Sequence, residues 1–216
     1  MKKSMWSKIG SMSLAGSILL ASCTSFTEEP TIVEQSVIQE QASSLESSVD
    51  LNARKSAKRN YFERFSNQII SLDEFGNQTK EIPAYFPGFG EGNSTHMGKA
   101  YSFLNQYASF GPKGLGTVGA PVSQFFSKEL AAMGLTKLPE EVSSLTTDGK
   151  GNSVWFKNIE NNVTPTSDTR MDFQADVEII GGTGKFKNAS GTAVVEGYFN
   201  PLSGEGMSTI QGRIDF

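Results

Sequence analysis

The chain has 216 residues, 19 Lys and Arg against 23 Asp and Glu, a net charge of −4, one cysteine and one histidine. That is about one domain's worth of sequence, and an acidic balance with no basic stripe argues against nucleic acid as a partner. A single cysteine excludes a disulfide framework and a thiolate metal site, and a single histidine excludes a multi-histidine centre, so no metal and no cofactor are expected.

Lys2, Lys3 and Lys8 precede an apolar stretch from Ile9 to Ala21, of signal-peptide length and short of the roughly 18 residues a spanning helix needs. Leu20-Ala21-Ser22-Cys23 closes it, the arrangement at which bacterial lipoproteins are cut and acylated. Leu20 takes the apolar slot, the small residues at 21 and 22 let a peptidase approach the backbone, and the Cys23 thiol is the nucleophile that receives the lipid. Residues 1–22 are therefore expected to be a lipoprotein signal peptide, with Cys23 the lipidation site. Losing Lys2, Lys3 and Lys8 with that segment takes the net charge from −4 to −7. Two or three acyl chains, at about 0.8 kcal/mol per buried CH2, make a stable anchor. The expected location is the bacterial cell envelope, lipid-anchored, at the outer membrane on its periplasmic or surface face. Glu28-Glu29 resembles the acidic export signals of some surface lipoproteins.

Residues 23–57 are rich in Ser, Glu, Gln and Thr and lack Gly. They carry too little apolar surface to offset their ordering entropy, so an acidic, mostly disordered tether is expected. Arg54, Lys55, Lys58 and Arg59 form a small basic cluster at its end, a solvated boundary or a contact with anionic headgroups.

From residue 58 to 216 the pattern is β. Tyr61–Ile70 and Thr95–Tyr107 are strand candidates, and Tyr85-Phe86-Pro87-Gly88-Phe89-Gly90 reads as an aromatic loop. Gly111–Gly119 reads as a second flexible stretch, and Ser123–Met133, bounded by Pro121 and Gly134, as the one short helix. Val142–Thr147 and Ser153–Ile159 flank a hairpin loop at 148–152. Met171, Phe173, Ala175, Val177 and Ile179 alternate with polar residues over ten positions, a period of two that a helix would scatter. Thr192–Phe199 and the alternating C-terminus through Phe216 complete seven or eight antiparallel strands. The expected fold class is all-β, an eight-stranded antiparallel barrel with a short helix, whose closure leaves no edges.

Gly181-Gly182-Thr183-Gly184-Lys185-Phe186-Lys187-Asn188-Ala189-Ser190-Gly191 invites a phosphate-binding reading that its spacing denies: Ile179 and Phe186 stand where a P-loop needs Gly and Ser or Thr, and a strand follows instead of a helix. The alternative is a sharp reversal in which Phe186 plugs a barrel end while Lys185 and Lys187 stay in water. This segment, with the closing Gly-Arg-Ile-Asp-Phe strand, resembles the allene-oxide-cyclase-like and dirigent-like superfamily, and Gly92–Lys99 is similar to the early strand of its bacterial members. The resemblance spans about 60–216. It implies a calycin-like eight-stranded barrel, often trimeric, with a largely apolar cavity. No motif carries the plant members' catalytic residues onto positions here.

Candidate sites are few. His96 is the only histidine and the weak catalytic candidate. Phe86 and Phe89 in the aromatic loop, with Tyr101 and Phe103 on the following strand, are the candidate ligand-binding residues. The expectation is an envelope lipoprotein whose barrel binds a small apolar ligand or serves as an interaction module. The alternative is an isomerase or cyclase of the allene-oxide-cyclase-like type acting on an apolar substrate; a cavity holding His96 or an acid near an aromatic wall would favour it, and a filled core would favour a scaffold.

Overall fold

The computed structural model describes residues 58–111 and 114–216; the expected signal peptide, Cys23 and the whole of the expected tether at 23–57 lie outside the described residues. The alternation at 171–179 builds the strand it predicts, β9 in the numbering by chain order (Arg170–Thr183). Ala175, Val177 and Ile179 turn inward and Asp172, Gln174, Asp176 and Glu178 outward. Around it β8 (Ser153–Ser167), β7 (Ser144–Thr147), β4 (Gly98–Leu104), β3 (Gly88–Ser94), β1 (Arg59–Ile69), β11 (Glu205–Asp215) and β10 (Ser190–Phe199) complete a closed antiparallel barrel of eight strands. A separate three-stranded sheet joins β2 (Ala84–Tyr85), β5 (Gln106–Gly111) and β6 (Gly114–Gly119). Its last strand lies along β8, where Thr117 Oγ1 donates to the Asn161 carbonyl at 3.3 Å.

Three segments depart from the sequence expectation. The aromatic loop ends at Pro87, and Gly88–Ser94 is a barrel strand. Gly88, Gly90 and Gly92 face inward, where a methyl would meet Ile69 and Leu104 at 3.0 and 3.1 Å from Gly88 and would run into the Asn67 side chain from Gly90. The glycines therefore serve close packing against β1, a use that composition cannot tell from a loop. The stretch from Thr95 to Tyr107 divides: residues 95–97 form a turn, and Asn105 separates β4 from β5. Fully buried, Asn105 donates from Nδ2 to Pro121 O at 3.0 Å and to Gln124 Oε1 at 3.2 Å, tying the corner to the helix. Gly114–Gly119 is a strand where flexibility is expected.

The one helix among the described residues, α1 (Ser123–Ala132), lies outside the barrel. Its Leu130 packs with Val122, Leu135 and Val142 against Phe103 and Leu145. Gly134, at φ +81°, takes the left-handed conformation that ends it. A second cluster fills the barrel itself, with Tyr61, Phe156, Ile179, Phe186 and Ile214 among its members. Phe186 is wholly buried at the end of a 3-10 turn, 4.6 Å ring to ring from Phe216, and Lys185 and Lys187 are exposed. It seals one barrel end, as the sequence predicts.

Candidate functional site

Strand polarity sorts the connections between two barrel ends. β1, β4, β8 and β10 begin, and β3, β7, β9 and β11 finish, at the Phe186 end, so the loops at 70–87, 168–169 and 200–204 frame the opposite one. There the barrel is not filled: a cavity of about 480 Å3 opens between the strands and these loops. Its β9 wall offers Met171, Phe173, Ala175 and Val177, its β10 wall Val195 and Phe199, and Leu202 of the last loop stands 78% exposed at its lip. The size and mostly apolar lining suit a small molecule rather than a protein segment.

One wall is polar. Gln106 of β5 and Asn158 and Asn161 of β8 meet there, with Gln106 Oε1 accepting from Asn158 Nδ2 at 3.3 Å and Asn161 Nδ2 at 3.4 Å. Register shifts in β8 near Asn158 bring both asparagines inward despite their spacing of three. Across the cavity Ser208 accepts from Asn67 Nδ2 at 2.9 Å. A guest with one or two polar groups finds partners, and the rest of its surface meets hydrocarbon.

Between cavity and sealed end sits Glu63, with no exposed surface. Tyr61 OH donates to its Oε1 at 2.5 Å and Thr146 Oγ1 to its Oε2 at 2.7 Å. Neither a lysine nor an arginine faces it, and burial, only partly offset by these hydrogen bonds, pushes the carboxyl up to about 7. Burial and the neighbouring Glu63 hold the Tyr61 phenol well above its usual range. Glu63 does not line the cavity, but its cross-strand neighbour Ile210 does, as does Ser102, the neighbour of Thr146.

Of the residues singled out from sequence, Phe86 lines the cavity. Phe89, Tyr101 and Phe103 do not. They project from the outer face of β3 and β4, where Phe89 stacks on Tyr101 at 6.1 Å and Phe103 meets Phe126 of α1 edge-on at 5.2 Å. Where the helix covers this wall the outward residues Phe89, Tyr101 and Phe103 are apolar, and Ala100, Ser102 and the β3 glycines on its inward side are small. His96 belongs to the turn at the sealed end, half-buried beside Tyr61 and Phe216, with Nε2 2.9 Å from the Asn60 carbonyl. That position separates it from the cavity.

Glu63 escapes a sequence reading because the segment from Tyr61 to Ile70 carries apolar residues on both parities, Phe62 and Ile70 exposed against Phe65 and Ile69 buried. Asn158 and Asn161 escape it because bulges break the alternation. Among the described residues no three His, Cys, Asp or Glu side chains converge to hold a metal. No protein-family model, curated protein or solved structure matches the chain.

Proposed function

We propose that this is an envelope lipoprotein, anchored through Cys23, whose barrel holds a small, mostly apolar ligand in its open half. The observation that carries the reading is the 480 Å3 cavity with its apolar β9 and β10 walls and a single amide patch. A filled core would have favoured a scaffold; this barrel is filled at one end only. The sequence resemblance to dirigent-like barrels supports a ligand cavity of this character, and trimeric assembly remains an expectation from that resemblance. Native mass spectrometry of protein purified from its own host tests the reading through any retained molecule. Val195→Trp, which pushes an indole into the cavity, should lower affinity for the probe N-phenyl-1-naphthylamine about tenfold or more while the fold persists. Unchanged probe binding in that variant would remove the cavity as the site.

A second reading, an isomerase or cyclase acting on an apolar substrate, draws on Glu63. A carboxyl near 7 is suited to proton transfer at neutral pH, and the cavity floor is one cross-strand step away. Glu63→Gln should then leave ligand retention intact and end conversion of a retained substrate. Retention without any conversion by the unaltered protein favours the binding reading.

A further inference from the structure

The sealed end carries a charge pattern unlike the rest of the molecule. Five separate segments converge there: residues 58–60 at the start of β1, the turn leading into Lys99, the hairpin loop at 148–152, the loop at 184–189, and the end of β11. They bring Lys58, Arg59, Lys99, Lys150, Lys185, Lys187 and Arg213 to one end, and all seven are exposed. Asp148 and Asp215 lie among them, and Glu91 and Glu178 stand in neighbouring rows of β3 and β9, which still leaves a positive excess. Asp148 is half-buried and occupied within its own loop, accepting from Lys150 N, Asn152 N and Asn152 Nδ2. None of the seven pairs with a carboxylate among the described residues, where the ion pairs are Lys157–Glu141 and Arg170–Asp172. Lys185 donates to the His96 carbonyl, Arg213 to Asn60, and the Arg59 guanidinium lies over the Phe216 ring.

The open end is the reverse, with Asp73, Glu74, Glu81, Asp168 and Glu205 against Lys80 and Arg170, and the β9 wall adds Asp172 and Asp176. A net-negative chain thus places an unpaired basic cap on one end of its barrel. In the sequence only its first part is visible, the basic cluster that ends in Lys58 and Arg59; the other five residues are scattered from 99 to 213.

We propose that this basic cap docks on an anionic phospholipid surface, leaving the open half of the barrel pointing away from it. Charge complementarity is the first argument: exposed lysines and arginines without carboxylate partners gain from a negative lipid surface within a Debye length. Chain connectivity is the second. Residue 58 stands at the cap, so the preceding sequence, with Arg54 and Lys55 and ultimately Cys23, joins the barrel on the face that would meet the membrane. The docking does not rest on the ligand reading, and its charge argument stands without acylation, since the cap is built from residues of the barrel domain alone.

The test is vesicle flotation with the full chain carrying Cys23→Ala, so that no acyl chain contributes. The apolar N-terminal segment inserts into any bilayer, and the readout is therefore the gain in affinity from neutral phosphatidylcholine vesicles to vesicles with about a third phosphatidylglycerol. Lys150→Glu/Lys185→Glu/Lys187→Glu should cut that gain about tenfold or more, and so should Lys58→Glu/Lys99→Glu/Lys150→Glu, which spares the Lys185 contact to His96. Lys80→Glu/Lys128→Glu/Lys137→Glu, an equal charge change away from the cap, should preserve it. Raising salt should erase the difference. Equal losses in cap and control variants, or no gain on phosphatidylglycerol in the parent chain, overturns the proposal. So does a cap effect that appears with soluble polyanions such as heparin but not with vesicles.

Discussion

Glu63 offers the sharpest test of the barrel interior, because one substitution should reverse the pH dependence of stability over a defined window. The group has an ordinary value of 4.5 and is pushed to about 7 in the fold, chiefly by burial. Between those values the native state holds a proton that the unfolded chain has released. Stability must then fall as pH rises, since the state binding fewer protons is favoured by alkali. Each pH unit of the interval is worth about 1.4 kcal/mol, so some 3 kcal/mol should be lost between pH 4.5 and 7 and no more above it. Glu63→Gln keeps the volume and an oxygen for the Tyr61 hydroxyl, offers its amide to Thr146 Oγ1, and cannot ionise. It should match the parent near pH 4 and exceed it by about 3 kcal/mol at pH 8. Urea melts every half unit from pH 4 to 8, read at constant m, measure this. Asp73, Asp148 and Asp172, held below the usual carboxylate range by their hydrogen bonds, act in the opposite sense and only below about pH 4, so they leave the window clear. Parallel profiles for parent and variant, or a parent that gains stability from pH 4.5 to 7, would refute the reasoning.

Other outcomes can be stated briefly. Phe186→Ala empties a wholly buried ring at the sealed end and should cost about 3 to 5 kcal/mol, whereas Lys185→Ala, losing one exposed hydrogen bond, should cost under about 1 kcal/mol; denaturant melts that invert this order would dismiss the plug. Cys23→Ala should give a precursor that neither incorporates labelled fatty acid nor fractionates with membranes, and normal labelling would end the lipoprotein reading.

The barrel was legible wherever one strand face met water and the other met hydrocarbon. β9 is the clear case, and β10 and β11 follow it. The same rule misled on β3 and β4, because α1 covers their outer wall and inverts the usual contrast: Phe103 points out to the helix and Ser102 in to the cavity. Glycine misled as well, marking a loop in sequence and close strand packing in space at Gly88, Gly90 and Gly92. Phe186 was legible because an aromatic residue amid glycines and lysines in a tight reversal has few places to go but inward. The site was harder to see. Gln106 lies 52 and 55 positions from Asn158 and Asn161 and in another sheet, and only bulges and the β6 strand beside them bring the three together.

The unequal filling of the barrel has a consequence for how the molecule tolerates change. Residues that hold the fold, Phe186, Ile214, Phe156 and the layer under α1, are largely distinct from the cavity-wall residues Met171, Phe173, Val195, Phe199 and Leu202. A substitution at the open end disturbs few packed neighbours, so the walls there can drift in size and polarity while the sealed end keeps its form. Such a barrel is a vessel whose interior can be refitted without rebuilding the hull. Redesign of the cavity should therefore begin at those five positions and leave the Phe186 end untouched.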